Sequence, residues 1–192
     1  MNNTHKNSNF TRIRSAFPGG MTDSTDIDAV HTAKREAEEE IGLSSSNYSI
    51  LGCLPPITDS RAVMITPVVA LLNSKFENFR LLLDETSEAF YLNLEQFLYR
   101  KNNYRLTKIG DHFVTHQFDI GSNHIWGVTA FQLIVLATII YRQTPEFDFF
   151  RHHQQLDLDR LCQQLKEHFH LCISTIQKQL IKSQLDDVGQ LK

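Results

Sequence analysis

The sequence predicts an α/β domain, a mixed β-sheet between helices, with an extra C-terminal amphipathic helix. Three patterns predict it. Val30, Ala33, Ala37 and Ile41 recur at three- and four-residue spacing, the buried stripe of a helix. Val- and Ile-bearing runs at 48–54, 62–72 and 112–120 read as strands parted by turn residues. The most apolar run, 128–141, is too short to span a bilayer, which takes about 20 residues, and reads as a buried helix.

Taken in order, Phe17-Pro18-Gly19-Gly20 is a turn, and Asp23-Ser24-Thr25-Asp26 continues it as a loop with N-cap candidates. A helix follows over 28–41, and Gly42 supplies its left-handed stop. Residues 44–47 are loop. The first strand is 48–54. The second, 62–72, carries Pro67, which places a kink or an edge there. Residues 88–94 alternate weakly, and 94–99 suit a short helix. Strands are expected at 101–106 and 112–120, then a turn at Gly121-Ser122-Asn123, after which Trp126-Gly127 leads into the buried helix. Beyond Pro145 the composition shifts. Leu158, Leu161, Leu165, Phe169, Cys172, Ile176 and Leu180 form one apolar stripe, so one or two amphipathic helices are expected over 156–184. That stripe packs on its own domain or, being nearly heptad-like, pairs two copies as a homodimer. The division is a main domain over 1–147 and a helical extension over 148–192.

Composition excludes several classes. With 192 residues and 41% apolar content the chain can bury one core. A net charge of −3 with mixed signs offers no field for nucleic acid or an anionic membrane. Cys53, Cys162 and Cys172 are odd in number and widely spaced, which fits a reducing compartment and neither a disulfide framework nor a zinc site. The polar start of the chain gives no secretory signal. Residues 1–22 hold bases and no acid, but a transit peptide of that length would remove Gly19-Gly20. The final Gln190-Leu191-Lys192 differs from a peroxisomal Ser-Lys-Leu address. Cytoplasmic placement is the expectation from these features.

The chemistry concentrates in 19–43. Glu36, Glu38, Glu39 and Glu40 put four carboxylates into five positions. Glu36, Glu39 and Glu40 stand at i, i+3 and i+4 and share one helix face. Like charges there repel, and they sit toward the helix C-terminus, where the macrodipole disfavours them. A hard cation such as Mg²⁺ answers both objections, since it takes oxygen ligands and keeps waters for phosphate oxygens. The bland alternative is a solvated charged face. The glycine pair upstream weighs against it: backbone without a Cβ can approach a phosphate-bound metal, and the Gly20 carbonyl can be a further ligand. Arg35 can reach Glu39 at i+4 and orient it.

This segment resembles the Nudix box, Gly-x5-Glu-x7-Arg-Glu-U-x-Glu-Glu-x-Gly-U with U a bulky aliphatic. Arg35, Glu36, Glu39, Glu40, Gly42 and Leu43 match, and Ala37 fills the first U. The stretch from Gly20 to Arg35 is one residue longer than the pattern. Its early Glu is absent, with Asp26 or Asp28 nearest. The lengthened form resembles the coenzyme A diphosphatase branch of the family. Ile65-Thr66-Pro67-Val68-Val69, Glu88-Ala89-Phe90-Tyr91-Leu92-Asn93-Leu94, Ile125-Trp126-Gly127-Val128-Thr129-Ala130 and Pro145-Glu146-Phe147 are similar to later segments of that branch.

The resemblance implies a Nudix-like α/β fold and a hydrolase of the coenzyme A diphosphate, giving 3′,5′-ADP and 4′-phosphopantetheine. It implies Mg²⁺ or Mn²⁺ held by Glu36, Glu39 and Glu40, one of them helping to activate water, with the Gly20 carbonyl as a further ligand. Gly19 and Gly20 would meet the substrate, Arg35 would orient the carboxylates, and Glu85 or Glu88 would add a distal ligand or base. It also allows a peroxisomal or mitochondrial location. The branch normally carries a coenzyme-recognition run with a Gly turn before Phe-Pro-Gly-Gly, whereas 16 residues precede Phe17 here. The expectation is therefore a shortened N-terminus, with 10–16 supplying at most one strand. The alternatives are hydrolysis of another nucleoside diphosphate derivative, such as ADP-ribose or a dinucleotide, and an inactive chain acting as an interaction module. His112 and His116, four apart on a strand, lie about 13 Å from each other and cannot share an ion. All nine histidines are read as structural or solvated, and Trp126 as core.

Overall fold

The computed structural model of the protein describes residues 15–59, 61–82, 86–101, 104–109 and 113–149. The expected extension over 148–192, its helix and homodimer stripe, Cys162, Cys172, His112 and Glu85 therefore lie outside the described residues, apart from Asp148 and Phe149.

Helix α1 runs Ala29–Ile41. Asp28 is its N-cap: the backbone is extended there, and the carboxylate accepts the His31 N–H at 2.7 Å. Its other end closes on Gly42, whose φ of 69° is the left-handed cap geometry. The Gly42 N–H reaches the Glu38 carbonyl and the Leu43 N–H the Ala37 carbonyl, both at 3.0 Å. A later segment completes that end, Arg80 N–H donating to the Ile41 carbonyl at 3.0 Å and Leu82 N–H to the Glu40 carbonyl at 2.9 Å. The last turn of α1 thus has four of its carbonyls satisfied, and residues 80–82 are tied to the turn that carries Glu40.

Strand β1 (Tyr48–Cys53) pairs antiparallel with β4 (Val68–Leu72), from Tyr48 opposite Leu72 to Cys53 opposite Val68. The register slips between Ile50 and Gly52, a bulge. The single strand expected over 62–72 is split into β3 (Met64–Ile65) and β4. Pro67 has no N–H for a ladder, but its carbonyl still accepts the Leu54 N–H at 2.9 Å. Strand β3 pairs instead with β2 (Ile57–Thr58), which the sequence did not announce. The third sheet is a meander of β5 (Arg105–Ile109), β6 (Phe113–Ile120) and β7 (Asn123–Trp126). All these pairings are antiparallel.

Two further expectations need correction. Residues 88–93 form no strand; they are held by Tyr91, whose hydroxyl accepts the Phe76 N–H at 2.9 Å and donates to the Phe76 carbonyl at 2.6 Å. The turn at 121–123 gives way one residue early to β7, which precedes α2 (Gly127–Tyr141). The expected short helix is a 3-10 turn over Leu94–Leu98.

The core lies where α2 crosses the meander and the 3-10 turn. Phe97, Leu98, Phe118, Ile125, Ala130, Ile134 and Ala137 are fully buried there. Thr138 is buried on the same helix and donates to the Ile134 carbonyl at 2.8 Å, so its hydroxyl is satisfied. Tyr104, His116, Phe118 and Phe147 pack as an aromatic cluster, with the Tyr104 and Phe147 rings stacked at 4.1 Å. His116 is buried, and its Nδ1 lies 3.0 Å from the Tyr104 hydroxyl, a structural role. Trp126 is half-buried beside His124 and ends β7. Among the described residues no helix is long and apolar enough to cross a membrane.

Candidate active site

Three segments meet at the site: the chain entering from β7, the glycine turn and α1. The Ser15 N–H bonds the His124 carbonyl of β7 at 3.3 Å, so the turn at 17–20 starts from the meander. It ends against the acidic face of α1. The Gly19 N–H lies 3.3 Å from Glu40 Oε1. Gly20 is closer still: a Cβ there would stand 2.8 Å from Glu36 Cδ and 3.1 Å from Oε2. A side chain there would have to push the Glu36 carboxylate aside.

Arg35 organises the rest. Its Nη1 is 2.9 Å from both Glu36 Oε1 and Glu39 Oε2. Its Nη2 donates to Asp26 Oδ2 at 3.0 Å and to the Met21 carbonyl at 3.1 Å, and Nε reaches Asp26 Oδ1 at 3.3 Å. The predicted reach to Glu39 is present, and the same guanidinium also pins the loop to the helix. That guanidinium holds the Asp26 carboxyl far below the usual carboxylate range, helped by the Asp23 N–H. Reciprocally, the bond to Asp26 raises the Arg35 pKa, with Glu36 and Glu39 adding to it. Asp23 is lowered as well, first by the Thr25 N–H and then by the Ser24 hydroxyl. Glu36 is largely covered, its side chain 12% exposed, whereas Glu39 is 55% exposed.

The structure thus brings Gly19, Gly20, Arg35, Glu36, Glu39 and Glu40 together. Glu88 stands exposed in the 86–93 stretch and makes no hydrogen bond or ion pair to α1 or the glycine turn among the described residues. Asp26 and Asp28, equally near the early acidic position of the motif, divide two tasks: Asp28 caps α1 and Asp26 binds Arg35. The sequence leaves that division open, and it gives His31, a further partner of Asp26, no specific task.

The donor set suits a hard divalent cation, with carboxylate oxygens on one helix turn. The cradle at Gly20, which a Cβ would fill, agrees with it. As the side chains lie, Glu36 and Glu39 are drawn to Arg35, and no group of three His, Cys, Asp or Glu among the described residues forms a cage.

The model of the NUDIX domain matches residues 3–115. The chain belongs to the Nudix family. This Nudix chain is 35% identical to a peroxisomal coenzyme A diphosphatase of Mus musculus over 146 residues, 71% of its own length and 61% of the relative's. It is 35% identical to a mitochondrial coenzyme A diphosphatase of Mus musculus over 119 residues, 60% of itself and 57% of the relative. To a mitochondrial Nudix hydrolase of Arabidopsis thaliana it is 33% identical over 140 residues, 69% of itself and 49% of the relative. The Nudix chain therefore spans roughly half to three-fifths of the length of these curated relatives.

Proposed function

We propose that the chain hydrolyses the diphosphate of coenzyme A or its acyl derivatives. Water is consumed, one P–O bond of the anhydride breaks, and 3′,5′-ADP and (acyl-)4′-phosphopantetheine leave. The chemistry rests on one observation, the seat of the glycine turn against Glu36 and Glu40. The choice of coenzyme A rests on the likeness to the two mouse diphosphatases.

Glu36, Glu39 and Glu40 would hold Mg²⁺ or Mn²⁺, with the Gly20 carbonyl as a further ligand. The ion would supply charge neutralisation at the diphosphate and a more acidic water. One of the three glutamates takes the proton of the attacking water. Arg35 keeps Glu36 and Glu39 on one side of α1 through Nη1. The Gly19 N–H steadies Glu40, and Gly20, having no Cβ, lets the Glu36 carboxylate lie against the turn.

Purified protein incubated with coenzyme A and Mg²⁺ or Mn²⁺ should release 3′,5′-ADP, and Glu40→Gln should lower turnover by about 10²–10⁴-fold. Undiminished turnover by Glu40→Gln overturns the assignment of the site. Turnover of ADP-ribose or a dinucleotide in place of coenzyme A overturns the substrate alone.

A further inference from the structure

The meander has two faces. Phe118 and Ile125, directly opposite each other on β6 and β7, are buried against α2. Side chains alternate along a strand, so the next pair, Asp119 and His124, lies on the other face. Arg105 of β5, diagonal to Asp119, joins them. Asp119 Oδ1 is 2.6 Å from His124 Nδ1, and its Oδ2 accepts from Arg105 Nη2. The Trp126 ring lies 24° from the plane of the imidazole and sets its tilt. With Nδ1 turned to Asp119, His124 Nε2 is left over and bonds nothing among the described residues. Nε and Nη1 of Arg105, whose side chain is 44% exposed, are likewise unbonded there. One carboxylate thus serves two cationic side chains, and donors remain for an anion from outside.

This face adjoins the glycine turn. The His124 carbonyl takes the Ser15 N–H, and Gly19, four residues on, donates to Glu40. Four residues reach at most about 14 Å, which leaves both places open to one substrate.

We propose that Arg105 and His124 bind the phosphomonoester at the nucleotide end of the substrate, the 3′-phosphate that remains in 3′,5′-ADP. The inference deepens the coenzyme A reading above and rests on it. Carrying both ring protons, His124 donates to Asp119 on one side and to the phosphate on the other. Arg105 adds its two remaining nitrogens, a fork suited to phosphate oxygens. Asp119 touches no substrate and is a positioning residue for both. A trio that merely fastened the three strands would alter melting temperature and leave the choice between substrates alone.

The test compares kcat/KM for coenzyme A with that for dephospho-coenzyme A, which lacks only this phosphate. Calorimetric titration of 3′,5′-ADP and of 5′-AMP makes the same comparison without turnover. Wild type should prefer the 3′-phosphorylated member of each pair by about 10–100-fold, the worth of a charge-assisted bond. Arg105→Gln and His124→Ala should each remove most of that preference, and Arg105→Lys should restore part of it, with folding checked by circular dichroism. No preference in wild type, or an undiminished preference in folded Arg105→Gln and His124→Ala, overturns the proposal. If His124→Ala fails to fold, the exposed Arg105→Gln decides. Absent turnover of either coenzyme, with 3′,5′-ADP still preferred over 5′-AMP and the preference lost in Arg105→Gln, refutes the hydrolase reading and upholds this site.

Discussion

An alanine at position 20 would press its Cβ into Glu36, 2.8 Å from Cδ, whereas one at position 19 would meet nothing within 4 Å. The two glycines of the turn are therefore not equivalent. Gly20→Ala should lower turnover by about 10²-fold, the cost of displacing a reacting group by roughly an ångström, and Gly19→Ala should cost less. Steady-state assays beside thermal melts check this, the melting temperatures of both variants staying close to wild type. At this scale the sequence was most legible where spacing alone dictates geometry. Glu36, Glu39 and Glu40 must share a face if 28–41 is helical, and Arg35 must reach Glu39. It was least legible at Asp26. Two acids two residues apart in a polar loop look alike, and only the extended backbone at Asp28, which aims that side chain at the His31 N–H, separates cap from anchor. The burial of Asp26 depends on Arg35 folding back over the loop, a contact nine residues away along the chain.

Helix α1 is bounded by signals that local chemistry writes plainly, an acid before its first turn and Gly42 after its last. Gly42 carries two constraints at once. Its φ of 69° strains any residue with a Cβ, and a Cβ there would lie 2.8 Å from that of Arg80. Gly42→Ala should therefore destabilise the protein by at least about 1–2 kcal/mol, seen as a lower midpoint in urea melts. The strands were harder to read. Pro67 cut one expected strand into two, as its missing N–H dictates, and the weak alternation over 88–94 carried no ladder because Tyr91 took the backbone groups of Phe76 instead. Strand β7 was hidden by its length. Four residues between a glycine turn and a buried helix give too short a pattern to register, and its strand character comes from pairing with β6.

The core beneath these elements gathers aromatic rings from distant parts of the chain: Tyr104 of the stretch before β5, His116 and Phe118 of β6, and Phe147 beyond α2. Composition shows that such a core can exist, but not which rings meet. Burial pushes the Tyr104 phenol up to about 12. The sign follows directly. Above about pH 10 the unfolded chain releases this proton while the folded chain keeps it, so stability falls as pH rises, by at most about 2–3 kcal/mol by pH 12. Burial shifts Tyr48 and Tyr141 in the same direction. Tyr104→Phe should thus flatten the alkaline decline without abolishing it, which urea melts between about pH 9 and pH 11 will show. Residues 80–82 hold the end of α1 by a different principle. Arg80 and Leu82 bond it through main-chain N–H groups. Every amino acid but proline owns such a group. Descendants of this chain can therefore rewrite the side chains of that segment, proline apart, and keep it moored to the turn that carries Glu40.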